Sequence, residues 1–159
     1  MTFLEKDLET IIWEASDSML EKRGLPFSGK RFRQLHIGNY GIADLVTAER
    51  EPNGLNITIY ELKQDRIGIG AFLQAVGYAR GIKSYLERRR NFHSFYISIV
   101  LIGRDIDTSG CLCYLTDLIY GAEQFNGVIN SLWFYTYKYN IDGIRFRDNS
   151  DYTLTKEGF

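Results

Sequence analysis

Apolar positions at Leu4, Leu8, Ile11, Ile12, Ala15 and Met19 recur at helical spacing and predict an amphipathic helix over residues 3–22. Gly24 and Pro26 supply its stop. Thr2 is a candidate cap, with Glu5 three residues on as the partner of a capping box. The period then changes to two. Lys30–Ile37 reads as a strand with a basic start, Asn39 as a tight turn, and residues 41–47 as a second strand. Pro52, Asn53 and Gly54 mark the next turn, and Asn56–Lys63 reads as a third strand. A second helix follows over about 69–90, with Phe72, Ala75, Val76, Ala79, Ile82 and Leu86 on its apolar side. Phe95–Ile102 is nearly unbroken β-branched and aromatic sequence. Such a run suits a central strand buried on both faces, reached by a parallel crossover after a helix. Gly110–Ile119 reads as another strand and Tyr120–Asn130 as a loop. Ser131–Tyr139 and Ile144–Arg147 read as a hairpin around Asp142-Gly143, and the last ten residues are polar.

Two of these strands carry a charge where a buried strand should have none. Alternation puts Tyr40, Ile42, Asp44 and Val46 on one face of the second strand, and Ile57, Ile59, Glu61 and Lys63 on one face of the third. A carboxylate among Ile and Val is costly to bury unless positive charge meets it. Asp44 and Glu61, with Lys63 two residues on, therefore read as half of a divalent-metal site with an ammonium beside it. Glu61 and Lys63 taken alone also fit an exposed cross-strand ion pair. Glu5 and Glu9 lie one turn apart on a flank of the first helix, and Gln74 and Tyr78 one turn apart on the second. For Glu5 the plainer role is a cap, and for Gln74 and Tyr78 it is packing on the helix surface.

Composition narrows the picture. The 159 residues suit one domain with a proper core. A net charge of −1 argues against nucleic-acid binding by the whole surface and leaves room for a local basic groove. Candidate phosphate contacts are Lys30, Arg31 and Arg33, then Arg80, Lys83 and Arg88 to Arg90, with Arg145 and Arg147 on the final hairpin. The basic end of the second helix also suits its own macrodipole. Cys111 and Cys113 fall on opposite faces of one strand and read as buried thiols. His36 and His93 lack a partner at metal-ligand spacing and read as structural. Trp133, Tyr135, Tyr137 and Tyr139 share a strand face, which favours packing or an interface over base stacking. With no signal-peptide pattern and no apolar run of about 20 residues, a cytoplasmic protein is expected.

The order of these residues carries a resemblance. A helix with Glu, a strand ending in Asp (GIADLV), a strand with Glu-Leu-Lys (YELK) and a helix with QAVGY resemble the PD-(D/E)xK nuclease superfamily. The resemblance covers about residues 3–103, leaving 110–148 as a C-terminal β extension. It implies an α/β, restriction-endonuclease-like fold. That fold has an αβββαβ core, with a central mixed sheet flanked by helices. Asp44 matches the first motif, Glu61 and Lys63 the second. Glu5 in LEKDL is similar to the helix-one glutamate of archaeal Holliday-junction resolvases, with Glu9 as the fallback. Gln74 and Tyr78 resemble the Gln-x-x-x-Tyr helix in the nuclease modules of bacterial recombination helicases. Ala43 stands where the name-giving proline would be, a position at which members vary. No P-loop accompanies the motifs.

The resemblance implies a Mg²⁺- or Mn²⁺-dependent deoxyribonuclease with a role in repair, recombination or defence. Asp44, Glu61 and the Leu62 carbonyl would be metal ligands. Lys63 would orient the attacking water and offset developing charge. Glu5, Gln74 and Tyr78 would assist. DNA is the favoured partner, with a homodimer or a partner protein helping to enclose it. The alternative is an inactive copy of the fold that binds nucleic acid or serves in assembly.

Overall fold

A computed structural model describes residues 3–89, 94–107 and 129–150. The chain runs α1 (Glu5–Glu14), α2 (Asp17–Lys22), β1 (Lys30–His36), β2 (Ile42–Glu51), β3 (Gly54–Leu62), β4 (Arg66–Ile67), α3 (Ile69–Arg88), β5 (Phe95–Gly103), β6 (Asp105–Ile106), β7 (Ser131–Asn140) and β8 (Gly143–Asp148). A 3-10 turn, Gly38–Tyr40, joins β1 to β2. Six strands make one mixed sheet in the order β1-β2-β3-β5-β7-β8, and β4 pairs with β6 beside it. β1 with β2, β2 with β3, and β7 with β8 are antiparallel. β3 with β5 and β5 with β7 are parallel, with α3 in the connection between the first pair. The protein is thus α/β, with helices on both faces of a mixed sheet.

Alternation along β3 shows how the sheet divides two cores. Ile57 and Ile59 point to α3, where they meet Phe72, Ala75, Ala79 and Ile82. Tyr60 and Leu62 point the other way, to Leu8 and Ile12 of α1 and Leu20 of α2. β5 serves both cores: Ile97, Ile99 and Leu101 face α3, while Val100 and Ile102 face α1 and α2. Burial on both faces, expected from its unbroken apolar run, follows from its place between two parallel neighbours. On β7, Tyr135 and Tyr137 pack under α1, while Trp133 and Tyr139 stay 44% and 56% exposed. The final hairpin turns as expected, with Asn140 paired to Gly143 and Gly143 at φ 101°.

Three expectations change. The helix over 3–22 breaks in two, because Ser16 Oγ accepts the Met19 N–H at 3.2 Å and starts α2. At the head of α1, the Asp7 carboxylate accepts the Leu4 N–H at 2.7 Å, so Glu5 is not the capping acid. The even face expected for Tyr40, Ile42, Asp44 and Val46 also fails. Val46 and Ala43 pack on the same core although they lie three residues apart. The expected strand at 110–119 with Cys111 and Cys113, residues 120–128 of the expected loop, Thr2, Arg90, His93 and residues 151–159 lie outside the described residues. Among the described residues, no helix is long and apolar enough to cross a membrane.

Candidate active site

The β2–β3 ladder runs from Glu51–Gly54 to Leu45–Tyr60 and stops there. The next pair in register, Asp44 and Glu61, stands where the two strands part. Lys63 N–H bonds Ile102 O at 2.8 Å on the β5 side. By alternation, the Leu62 N–H points to β2, where the acceptor in register would be the Ala43 carbonyl. The Asp44 carboxylate takes that place, with Oδ2 accepting the Leu62 N–H at 3.1 Å. The Leu62 carbonyl lies on the same side of its strand and faces the same fork.

The fork coincides with a change of phase in β1 and β2. Phe32 and Leu35 pack on the α3 core three residues apart, as Ala43 and Val46 do. Gln34, which faces Asp44 in the β1–β2 register, has φ 50°, and the Gln34–Asp44 pair is missing from an otherwise continuous ladder. A glutamine in the left-handed region is uncommon and costs roughly 1 kcal/mol or more.

Charge in the fork is unbalanced. Glu61 is 3% exposed. Its Oε1 lies 3.4 Å from Lys63 Nζ, and its Oε2 is buried with no hydrogen-bond partner among the described residues. Burial pushes Glu61 up to about 8; the neighbouring Asp44 adds to the rise and Lys63 opposes it. Burial also pushes Asp44 up to about 6 against the bond from Leu62 N–H, with Glu5 and Glu9 adding to the rise. Two carboxylates this desolvated retain a proton near neutral pH unless a cation replaces it.

Helix α3 closes one side. Lys63 Nζ reaches Gln74 Oε1 at 3.4 Å, and the Gln74 side chain lies beside the Tyr78 phenol. Burial, then the charge of Glu61, raises the Tyr78 phenol. Gly41, at φ 113°, lets the start of β2 approach Tyr78; a Cβ there would lie 3.1 Å from the ring. The two acids of α1 divide. Glu5 acts on both Asp44 and Glu61 through its charge. Glu9 is buried and already engaged: Arg33 Nε donates to Oε1 at 2.7 Å and Gln34 Nε2 to Oε2 at 2.8 Å.

The expected basic residues also divide. Arg33 holds Glu9 and donates to Thr10 Oγ1 at 2.8 Å. Arg31 donates to the Ile12 and Trp13 carbonyls at the end of α1 and pairs with Asp17. Both therefore spend donors inside the fold, Arg31 on the carbonyls at the end of α1 and Arg33 on the side chains of Glu9 and Thr10, rather than presenting them to a phosphate. Lys30 lies over the Phe32 ring, and Lys83 sits 4.0 Å from Glu87. Arg80 and Arg88 are exposed on α3.

Asp44, Glu61, Lys63, Gln74 and Tyr78 thus meet at one end of β3, with the charge of Glu5 acting there. Among the described residues no group of three or more His, Cys, Asp or Glu side chains is arranged to hold a metal ion. Two carboxylates, one with an unpartnered buried oxygen, still suit Mg²⁺, which keeps several waters and needs few protein ligands. Sequence reasoning missed Gly41 and Gln34. The glycine at the head of GIADLV was a usable signal for Gly41, whereas nothing in a glutamine announces a left-handed backbone. A separate cleft of about 400 Å³ lies on the opposite face of the sheet, between Pro26, Thr58 and Trp133. None of the residues expected from sequence to form the site lines it. No protein-family model matches the chain, and no curated protein or solved structure is significantly similar to it.

Proposed function

We propose that this protein is a metal-dependent nuclease with a restriction-endonuclease-like core of the PD-(D/E)xK kind, acting on DNA in the cytoplasm. The observation that carries the reading is Glu61 Oε2, buried beside Asp44 and Lys63 with no hydrogen-bond partner among the described residues. An anionic pocket kept in a folded core without full compensation is best explained by a cation that completes it. Asp44, Glu61 and the Leu62 carbonyl would hold Mg²⁺ or Mn²⁺, which would supply Lewis-acid stabilisation of the phosphate and an activated water.

The chain's own groups do the rest. The Lys63 ammonium holds the attacking water in line and offsets charge on the phosphorane oxygens. Gln74 holds the Lys63 ammonium, with Tyr78 beside Gln74. Glu5 adds negative charge at the fork and favours cation entry. Arg80, Arg88, Lys30 and Lys83 are the basic residues that would contact the phosphate backbone.

A second reading is an inactive module of the same fold that binds nucleic acid or assembles with a partner. It is favoured by the internal use of Arg31 and Arg33, which thins the phosphate-binding surface. Cleavage separates the two. Supercoiled plasmid and single-stranded and branched oligonucleotides are incubated with Mg²⁺, Mn²⁺ or EDTA. Metal-dependent cutting supports the nuclease. Binding without cutting on every substrate supports the module.

A further inference from the structure

We propose that Gln34 is a positioning residue for Asp44: its left-handed backbone turns the β1–β2 ribbon off β3 where Asp44 enters the fork. The inference rests on the metal-site reading for its purpose but not for its geometry. Three observations meet at one point. The β1–β2 register is the same on either side of Gln34, so no residue has been inserted; the ribbon bends as a unit. Both strands change phase at that pair, since Phe32 and Leu35 share a core, as Val46 and Ala43 do. The β2–β3 ladder ends one residue after Asp44, at Leu45–Tyr60.

A regular strand at Gln34 would keep β2 on β3. The Leu62 N–H would then go to a main-chain carbonyl, and the Asp44 side chain would be shut against Glu61 with no opening between them. The bend exchanges that main-chain acceptor for the Asp44 carboxylate. It is clamped from outside. Gln34 Nε2 and Arg33 Nε both donate to Glu9, and Arg33 reaches Thr10, so β1 is tied to α1 at the residue that bends. Glu9 thereby serves as the anchor of the clamp, while Glu5 is the α1 acid whose charge acts on both Asp44 and Glu61.

The test is amide hydrogen exchange at Leu62, whose N–H reports the place of Asp44 without any metal. Gln34→Val disfavours the left-handed backbone, whereas Gln34→Gly tolerates it. Gln34→Val should speed Leu62 exchange about tenfold or more, to the rate of Asp44→Ala, while the Ile57 amide keeps its protection. Gln34→Gly should stay within about threefold of wild type. Should the valine variant fail to fold, Gln34→Ala carries the same expectation in milder form. Leu62 exchange unchanged in Gln34→Val and Gln34→Ala overturns the proposal, as does Gln34→Gly exchanging as fast as Asp44→Ala. Mn²⁺ affinity is read alongside and should weaken about tenfold in Gln34→Val and hold in Gln34→Gly. Wild type that binds no Mn²⁺ overturns the metal reading, and Leu62 exchange still decides the role of Gln34.

Discussion

Glu61 is the side chain that folding treats worst. One carboxylate oxygen meets Lys63 at 3.4 Å, and the other is buried without a hydrogen-bond partner among the described residues. Burial lifts it from 4.5 to about 8, and Asp44 from 3.8 to about 6. Both folded values lie above the unfolded ones, so the folded state holds the extra protons. Their stabilisation is complete below about pH 4 and is lost as pH rises through about 6 and then 8. In EDTA, urea unfolding should show lower stability at pH 8.5 than at pH 5.5, and Glu61→Gln should remove most of that slope. Lys63 has a separate role. It is the ammonium at the fork, and Lys63→Ala should cut the rate of cleavage about 10²-fold or more while leaving cation affinity little changed. Single-turnover assays at saturating Mn²⁺ check this. An equal loss of affinity would make Lys63 a part of the binding site only.

At the scale of elements, the fork between β2 and β3 depends on close approaches that single residues permit. Gly41 sits at φ 113°, and a Cβ there would press on the Tyr78 ring at 3.1 Å. Gly41→Ala should cost about 1–3 kcal/mol in denaturant unfolding and displace Tyr78 from Gln74. An unchanged midpoint would show that the start of β2 yields without strain. The elements themselves were largely legible, because periods of two and 3.6 survive in β3, α3 and the final hairpin. The parallel crossover was legible from a run without alternation: Phe95–Ile102 has no polar face to give to water. What escaped depended on tertiary contact. Ser16 caps α2 through the Met19 N–H, and Arg31, from β1, takes the carbonyls of Ile12 and Trp13 where α1 ends. Arg31 and Arg33 look like phosphate ligands in sequence, since charge alone does not reveal that a helix end or Glu9 claims it. Gln34 is the extreme case: its conformation, not its type, bends the ribbon.

Across the whole molecule, the sheet separates an α3 core from an α1–α2 core, and the fork opens at the carboxyl end of β3, where the chain leaves for α3. Crevices beyond the carboxyl ends of parallel strands are where open α/β sheets bind ligands. A net charge of −1 leaves little long-range attraction for a polyanion. Binding of DNA should therefore rest on few phosphate contacts, and Arg80→Ala with Arg88→Ala should lower the salt slope by about two. Fluorescence anisotropy at several salt concentrations checks this, and an unchanged slope would move the DNA surface away from α3. Calorimetric titration of Mn²⁺ at pH 7 tests whether Asp44 and Glu61 form a cation site. In two buffers of different ionisation enthalpy, wild type should bind one ion and release about one proton, since the cation must displace the proton Glu61 holds. Asp44→Ala should abolish the binding. Wild type with no binding, or binding that survives both Asp44→Ala and Glu61→Ala, would mean that the two carboxylates hold no cation.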